Sequence, residues 1–214
     1  MQPKRSRLAR LGVLALALCL GIGMTAGVAE AQKKKKKKKA GGTAEITQTV
    51  GAPVPDATAS LNGQLISTID VAGKKFKKTR VRDVDVTIQT IGNNAASAGD
   101  LYALLSSPNG TTVFLFSGLS GSFIGPLTLS DQSNLAPGFT GGGCLPGALD
   151  PNTLCPPYQG TAQPGGVLAA MNDGPANGTW TLRVVDFDDT PPGVTSTLNS
   201  WTLKVQAGKK YLTK

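Results

Sequence analysis

Short alternations of apolar and polar residues, separated by clusters of Gly, Pro, Asn and Asp, run from about Val54 to Val205. No stretch sustains a 3.6-residue period, so the pattern predicts strands. Arg82–Gln89 sends Val84, Val86 and Ile88 to one face and Asp83, Asp85, Thr87 and Gln89 to the other, as a half-buried strand does. Thr179–Val184 and Ser200–Val205 alternate in the same way, turning Trp180, Leu182 and Val184, then Trp201, Leu203 and Val205, toward a core. Thr111–Phe116 is apolar on both faces after its threonines, which predicts a central strand. Leu65–Val71 and Leu101–Leu105 extend the set, and Val167–Met171 allows one helical turn.

The punctuation agrees with these boundaries. Ser107-Pro-Asn-Gly110 separates two strands and contains the Asn-Gly pair favoured in tight hairpins. The span Gly118–Gly165 is too long for a structureless loop, so it predicts a strand near Leu127–Leu129 followed by a projecting excursion. The expected architecture is all-β: one domain of about 150 residues folded as a jelly-roll or related β-sandwich.

The two ends change the picture of compartment and charge. A basic start (Lys4, Arg5, Arg7, Arg10) precedes an apolar run from Leu11 to Val28 and the small-residue pattern Ala29-Glu30-Ala31. This reads as a signal peptide over residues 1–31, cleaved after Ala31, and places the mature protein outside the cell or at its surface. An uncleaved anchor is the alternative, because the run approaches membrane-spanning length. Next comes the unbroken block Lys33, Lys34, Lys35, Lys36, Lys37, Lys38 and Lys39, expected to stay extended as part of a tail over 32–53. It is either a solvated spacer or an electrostatic tether to a polyanion. A second basic cluster, Lys74–Arg82, is read as a solvated hairpin or as an extension of that cationic surface.

The formal charge of +9 comes from the 39 N-terminal residues. From Ala40 onward the chain holds 11 basic and 12 acidic residues, so the folded part is nearly neutral. No aromatic residues interleave the Lys33–Lys39 block, so base-specific nucleic-acid recognition is not expected. In an exported chain, Cys144 and Cys155 read as one local disulfide, stabilising by roughly 3 kcal/mol in the chain-entropy model.

Candidate chemistry is sparse. The sequence contains no His, which excludes Ser-His-Asp and Cys-His nucleophile pairs and His-ligated zinc. The acidic string Asp186-Phe-Asp188-Asp189 at a strand end is a candidate calcium site, since such loops supply carboxylates and carbonyls together. Its rival is turn chemistry, because aspartate bonds its own backbone in turns. Paired-carboxylate hydrolysis has no signature, and the one Glu of the mature chain, Glu45, falls in the expected tail.

Several strings occur in a telling order: Val54-Pro-Asp56, Val81-Arg-Asp-Val84, Gly99-Asp-Leu101, Leu105-Ser-Ser-Pro-Asn-Gly-Thr-Thr-Val113, Pro164-Gly-Gly-Val-Leu168, Asn177-Gly-Thr-Trp-Thr-Leu182 and Thr197-Leu-Asn-Ser-Trp-Thr-Leu203. Over residues 54–206 the chain resembles the P domain, or P/Homo B domain, of proprotein convertases such as kexin and furin and of bacterial secreted subtilisin-like proteases. The resemblance implies a sandwich similar to galactose-binding-like domains, with 207–214 left as a basic C-terminal tail. It also implies association with a subtilisin-like catalytic domain, which normally precedes the P domain and is supported by it. This sequence departs from the family at Ile91–Ala98 and in the Cys144–Cys155 excursion. The expected function is a secreted, non-catalytic module that binds a protein or glycan, with the lysine tail tethering it to anionic surfaces. The alternative is an accessory role, in trans, for a separate subtilisin-like serine endopeptidase. A membrane contact is expected only if the signal is retained.

Overall fold

The computed structural model describes residues 41–92, 99–119, 123–137, 153–154, 160–188 and 196–209. Cys144, Cys155, Asp189, the Lys33–Lys39 block and the signal region lie outside these residues. The described strands are β1 (Gly42–Pro53), β2 (Gly63–Val71), β3 (Arg80–Gly92), β4 (Leu101–Ser106), β5 (Thr112–Ser117), β6 (Phe123–Ser130), β7 (Ala136–Pro137), β8 (Thr153–Leu154), β9 (Gly160–Ala162), β10 (Gly178–Asp186) and β11 (Ser196–Gly208). Among the described residues the one helical turn is a 3-10 turn at Leu168–Met171, which buries Leu168 and Met171.

Two sheets form the sandwich. One has the order β1-β11-β3-β6-β9 and the other β2-β10-β4-β5, with a small β7-β8 pair beside them. The chain alternates between the two sheets in passing through β1, β2, β3 and β4, and all pairings in the two sheets are antiparallel except β6 with β9. That connectivity is a jelly roll.

The period-two pattern explains which side chains fill the space between the sheets. Val84, Val86 and Ile88 of β3, Trp180, Leu182 and Val184 of β10, and Trp201, Leu203 and Val205 of β11 are all buried. The two tryptophans face the core from opposite sheets. The Trp201 indole N–H donates to Ser67 Oγ of β2 at 2.9 Å, a hydrogen bond that ties one sheet to the other. The Trp180 indole N–H finds the Ala176 carbonyl at 3.3 Å, so neither buried ring leaves its donor unpaired.

Four expectations are corrected. The tail does not extend to residue 53: Gly42–Pro53 is β1, paired with β11 from Gly42–Ala207 to Pro53–Thr197. Its inward alternation is carried by Ala44, Ile46 and Val50, too small and diluted a signal beside the lysine block. A shift between Thr49 and Ala52, with Gly51 at φ +61°, bends this edge strand. At the other end β11 runs to Gly208, two residues into the expected C-terminal tail. Thr112–Ser117 is an edge strand, not a central one. Its free side is met by the amides of Gly165 and Gly166, which donate to the carbonyls of Leu115 and Phe114, each at 2.7 Å. Finally, Lys74–Lys78 is no hairpin tip, because β2 and β3 belong to different sheets. The connection crosses the end of the sandwich and inserts Phe76 into the core.

Candidate functional site

The two ends of the domain carry opposite charge. Strand β10 pairs with β2 from Gly178–Val71 at one end to Asp186–Gly63 at the other, a span of about 26 Å for nine residues. The Gly178 end meets the basic connection and the Asp186 end meets a set of aspartates.

At the acidic end, Asp186 closes β10 opposite Gly63 of β2 and Leu101 of β4. It is 1% exposed. Its Oδ1 accepts the amide of Asp188 at 3.3 Å, and the Ala57 amide also bonds it. Burial pushes the Asp186 carboxyl up to about 6; the charges of Asp100 and Asp56 add to the rise, and the Asp188 and Ala57 amides oppose it. Asp100 is also raised, first by burial and then by the charges of Asp188 and Asp56. The chain segment from Pro55 to Ala57 reaches this end because Gly63 has no side chain: a methyl group there would overlap the Pro55 carbonyl.

Of the candidate calcium residues, Asp186 is turned onto backbone amides, Asp188 lies two residues on, and Asp189 is outside the described residues. Among the described residues no three His, Cys, Asp or Glu side chains converge closely enough to hold a metal ion. The Asp188 amide bonding back to Asp186 Oδ1 is the contact of an aspartate turn. Sequence reading missed that Asp56 and Asp100, far apart in the chain, join Asp186, because only the jelly-roll connection brings those segments together.

The charge of Asp186 has a testable sign. A carboxyl whose folded value lies above its ordinary one stabilises the fold below pH 4 and loses that contribution as pH rises through about 6. Asp186→Asn is expected to stabilise the domain by about 1–2 kcal/mol at pH 7.5, allowing for solvent screening, and to change little at pH 4. Denaturant midpoints across this range check it; equal midpoints for the two proteins at pH 7.5 would contradict it.

At the basic end, Lys74, Lys75, Lys77 and Lys78 are exposed around the buried Phe76, with Lys75 Nζ 4.7 Å from the Phe76 ring centroid. The Gly41 amide donates to the Lys75 carbonyl at 3.0 Å, which anchors the start of β1 against this connection. Lys39 stands two residues upstream of Gly41, so the lysine block joins the domain at its basic end. The end of β11 arrives here too: Arg82 pairs with Asp173 at 2.7 Å and donates to the Lys209 carbonyl.

The outer face of the five-stranded sheet is polar and bonded across its strands, with Asp85 Oδ1 the one buried side-chain oxygen left without a partner among the described residues. Lys204 pairs with Asp85 at 2.8 Å, and that hydrogen bond and charge raise the lysine above its ordinary value. Thr47 bonds Thr202, and Thr87 bonds Thr128, each at 2.8 Å. A cleft of about 400 Å³ opens beside Gln163, Gly165 and Val167. Its carboxylate, Asp131, already accepts the amides of Leu168 and Ala169 at 3.0 and 2.6 Å, capping the 3-10 turn. That use leaves it a structural anchor.

The resemblance strings map onto the frame of the fold. Asn177–Leu182 starts β10, Thr197–Leu203 lies in β11, Leu105–Val113 forms the β4–β5 hairpin, and Gly99–Leu101 enters β4. No protein-family model and no curated protein matches the chain. Among solved structures, the serine protease of Aeromonas sobria in complex with its chaperone ORF2 aligns with a TM-score of 0.42 and 15% identity, over 78% of this chain and 27% of that one. The serine protease of Aeromonas sobria in a second structure aligns with a TM-score of 0.38 and 17% identity, over the same shares. The chain thus spans about a quarter of the length of the chains it matches.

Proposed function

We propose that this protein is an exported, non-catalytic module of P-domain type that acts by binding, and that its partner is a separate subtilisin-like serine endopeptidase that it supports in trans. The reading rests on the ordered strings from Val54 to Leu203, which fall in chain order on β3, β4, β5, β10 and β11 and on connections of one jelly roll. The lack of His leaves the chain without an imidazole for a charge-relay triad of its own. Affinity capture on the mature chain from the medium of the producing cells tests the reading. The retained proteins are labelled with a fluorophosphonate, which marks active serine hydrolases, and identified by mass spectrometry. A subtilisin-like endopeptidase among them is the expected result; retention of none defeats the proposal.

A second activity, tethering of the module to an anionic surface polymer, is favoured by the basic end. There Lys75 contacts the start of β1, which follows the Lys33–Lys39 block in sequence, and Lys74, Lys77 and Lys78 are exposed on the same connection. Binding to an anionic matrix is expected to weaken steeply with salt and on deletion of Lys33–Lys39. Salt-independent retention would refute the tether, and retention on neutral polysaccharide would favour glycan binding in its place.

A further inference from the structure

The outer face of the four-stranded sheet is unlike that of its partner sheet. Register places Ile66 beside Arg183, Arg183 beside Leu104, and Leu104 beside Phe114, one from each of β2, β10, β4 and β5. At ordinary strand spacing this row spans about 14 Å. Ile66 is 52% and Phe114 37% exposed, and Leu104 is half-buried. Toward the acidic end Tyr102 stacks obliquely on Phe187, with ring centroids 6.1 Å apart, and Phe187 is 42% exposed. Toward the other end the face turns to hydroxyls, where Ser106 bonds Thr112 at 2.8 Å and Thr179 bonds Asp70 at 2.6 Å.

Single exposed apolar residues on a protein surface need no explanation, but a contiguous group does. At the centre of this group sits Arg183, exposed and without a hydrogen bond or ion pair to any described residue. The polar face of the opposite sheet behaves differently: its lysine and amide groups donate to carboxylates, as Lys204 does to Asp85, and Gln132 and Gln206 do to Asp83. Aromatic and aliphatic side chains around an arginine, with a hydroxyl rim, match the composition of protein-binding hot spots. An anionic lipid surface is disfavoured by the exposed Asp70, on this face beside Thr179, and by the exposed Asp188 next to Phe187. The tilt of 33° between the Tyr102 and Phe187 rings gives no flat platform for a sugar.

We propose that Ile66, Leu104, Phe114, Tyr102 and Phe187 around Arg183 form the surface on which the endopeptidase partner docks, through a carboxylate ringed by apolar side chains that pairs with Arg183. This rests on the protease-accessory reading and adds the face and the chemistry of contact. Pairing a guanidinium with a carboxylate in a site dried by the surrounding rings gives a strong, directional contact.

The test uses the mature full chain in the same capture from medium, with fluorophosphonate labelling of what is retained. Wild type and Thr47→Glu, a charge placed on the opposite sheet's face, are expected to retain the endopeptidase equally. Arg183→Glu, Arg183→Ser and the Ile66→Ser/Phe114→Ser pair are expected to lose at least tenfold, with unchanged circular dichroism and melting. The two Arg183 variants differ in charge but not in lost bonds within the chain, so a fold defect in one is exposed by the other. Undiminished capture by both Arg183 variants, when wild type retains the enzyme, would reject the docking face and leave the accessory reading standing. Failure of wild type to retain any such enzyme would reject both. Loss of binding to a polysaccharide or an anionic vesicle, in place of the enzyme, would reassign the face and overturn the proposal.

Discussion

Trp201→Ala is expected to destabilise the domain by about 4 kcal/mol, the range for removing a large buried aromatic and leaving its cavity. Trp201 is 1% exposed and lies within the apolar layer between the sheets, where the neighbouring strands cannot close over the vacated space without changing register. Its N–H bond to Ser67 at 2.9 Å crosses from one sheet to the other, so the substitution also orphans a partner on β2. A loss of this size is a large part of the stability of an ordinary domain. The check is the urea midpoint, with Trp201→Phe as the companion: keeping a ring but losing the indole donor separates about 1 kcal/mol for the hydrogen bond from the packing. A cost under about 1 kcal/mol for Trp201→Ala would show that this core is not closely packed there.

Gly63→Ala is expected to cost about 3 kcal/mol, the upper part of the range for overpacking. The added methyl group meets backbone, the Pro55 carbonyl, so no side-chain rotation relieves it. The segment Pro55–Ala57 must withdraw, and with it go the Ala57 amide and the Asp56 charge that act on Asp186. Water admitted over Asp186 would return its carboxyl toward the ordinary value. The variant is therefore expected to lose most of the stability decline between pH 4 and 7 as well as absolute stability. Midpoints measured at both pH values check this; a variant as stable as wild type, or one with the full pH slope, would be inconsistent with the described contact.

Period-two patterning made the strands legible where one face is apolar and the other charged, as in β3, β10 and β11. The same logic lost β1, whose inward positions are Ala44, Ile46 and Val50 and whose neighbourhood is dominated by lysine. It also misjudged β5. A strand apolar on both faces is central when a second layer covers it, but Phe114 reaches the surface at a sheet edge that glycine amides close off. That double-faced pattern was the one sequence signal of an exposed apolar face, and its meaning depended on strand order. The site was less legible than the fold for the same reason. Asp186 could be picked out beside Asp188, but Asp56, Asp100 and Asp186 are neighbours only through long-range pairing. Arg183 is one outward residue of an alternating strand in the sequence, and only strand register sets Ile66, Leu104 and Phe114 in a row with it.

The separation of lysines at one end from aspartates at the other gives the domain a permanent electric dipole along its strands. Near a negatively charged layer the molecule would stand upright, amine-bearing pole down and carboxyl-bearing pole toward solvent. In that posture both broad faces of the sandwich would point sideways, along the layer and away from direct contact with it.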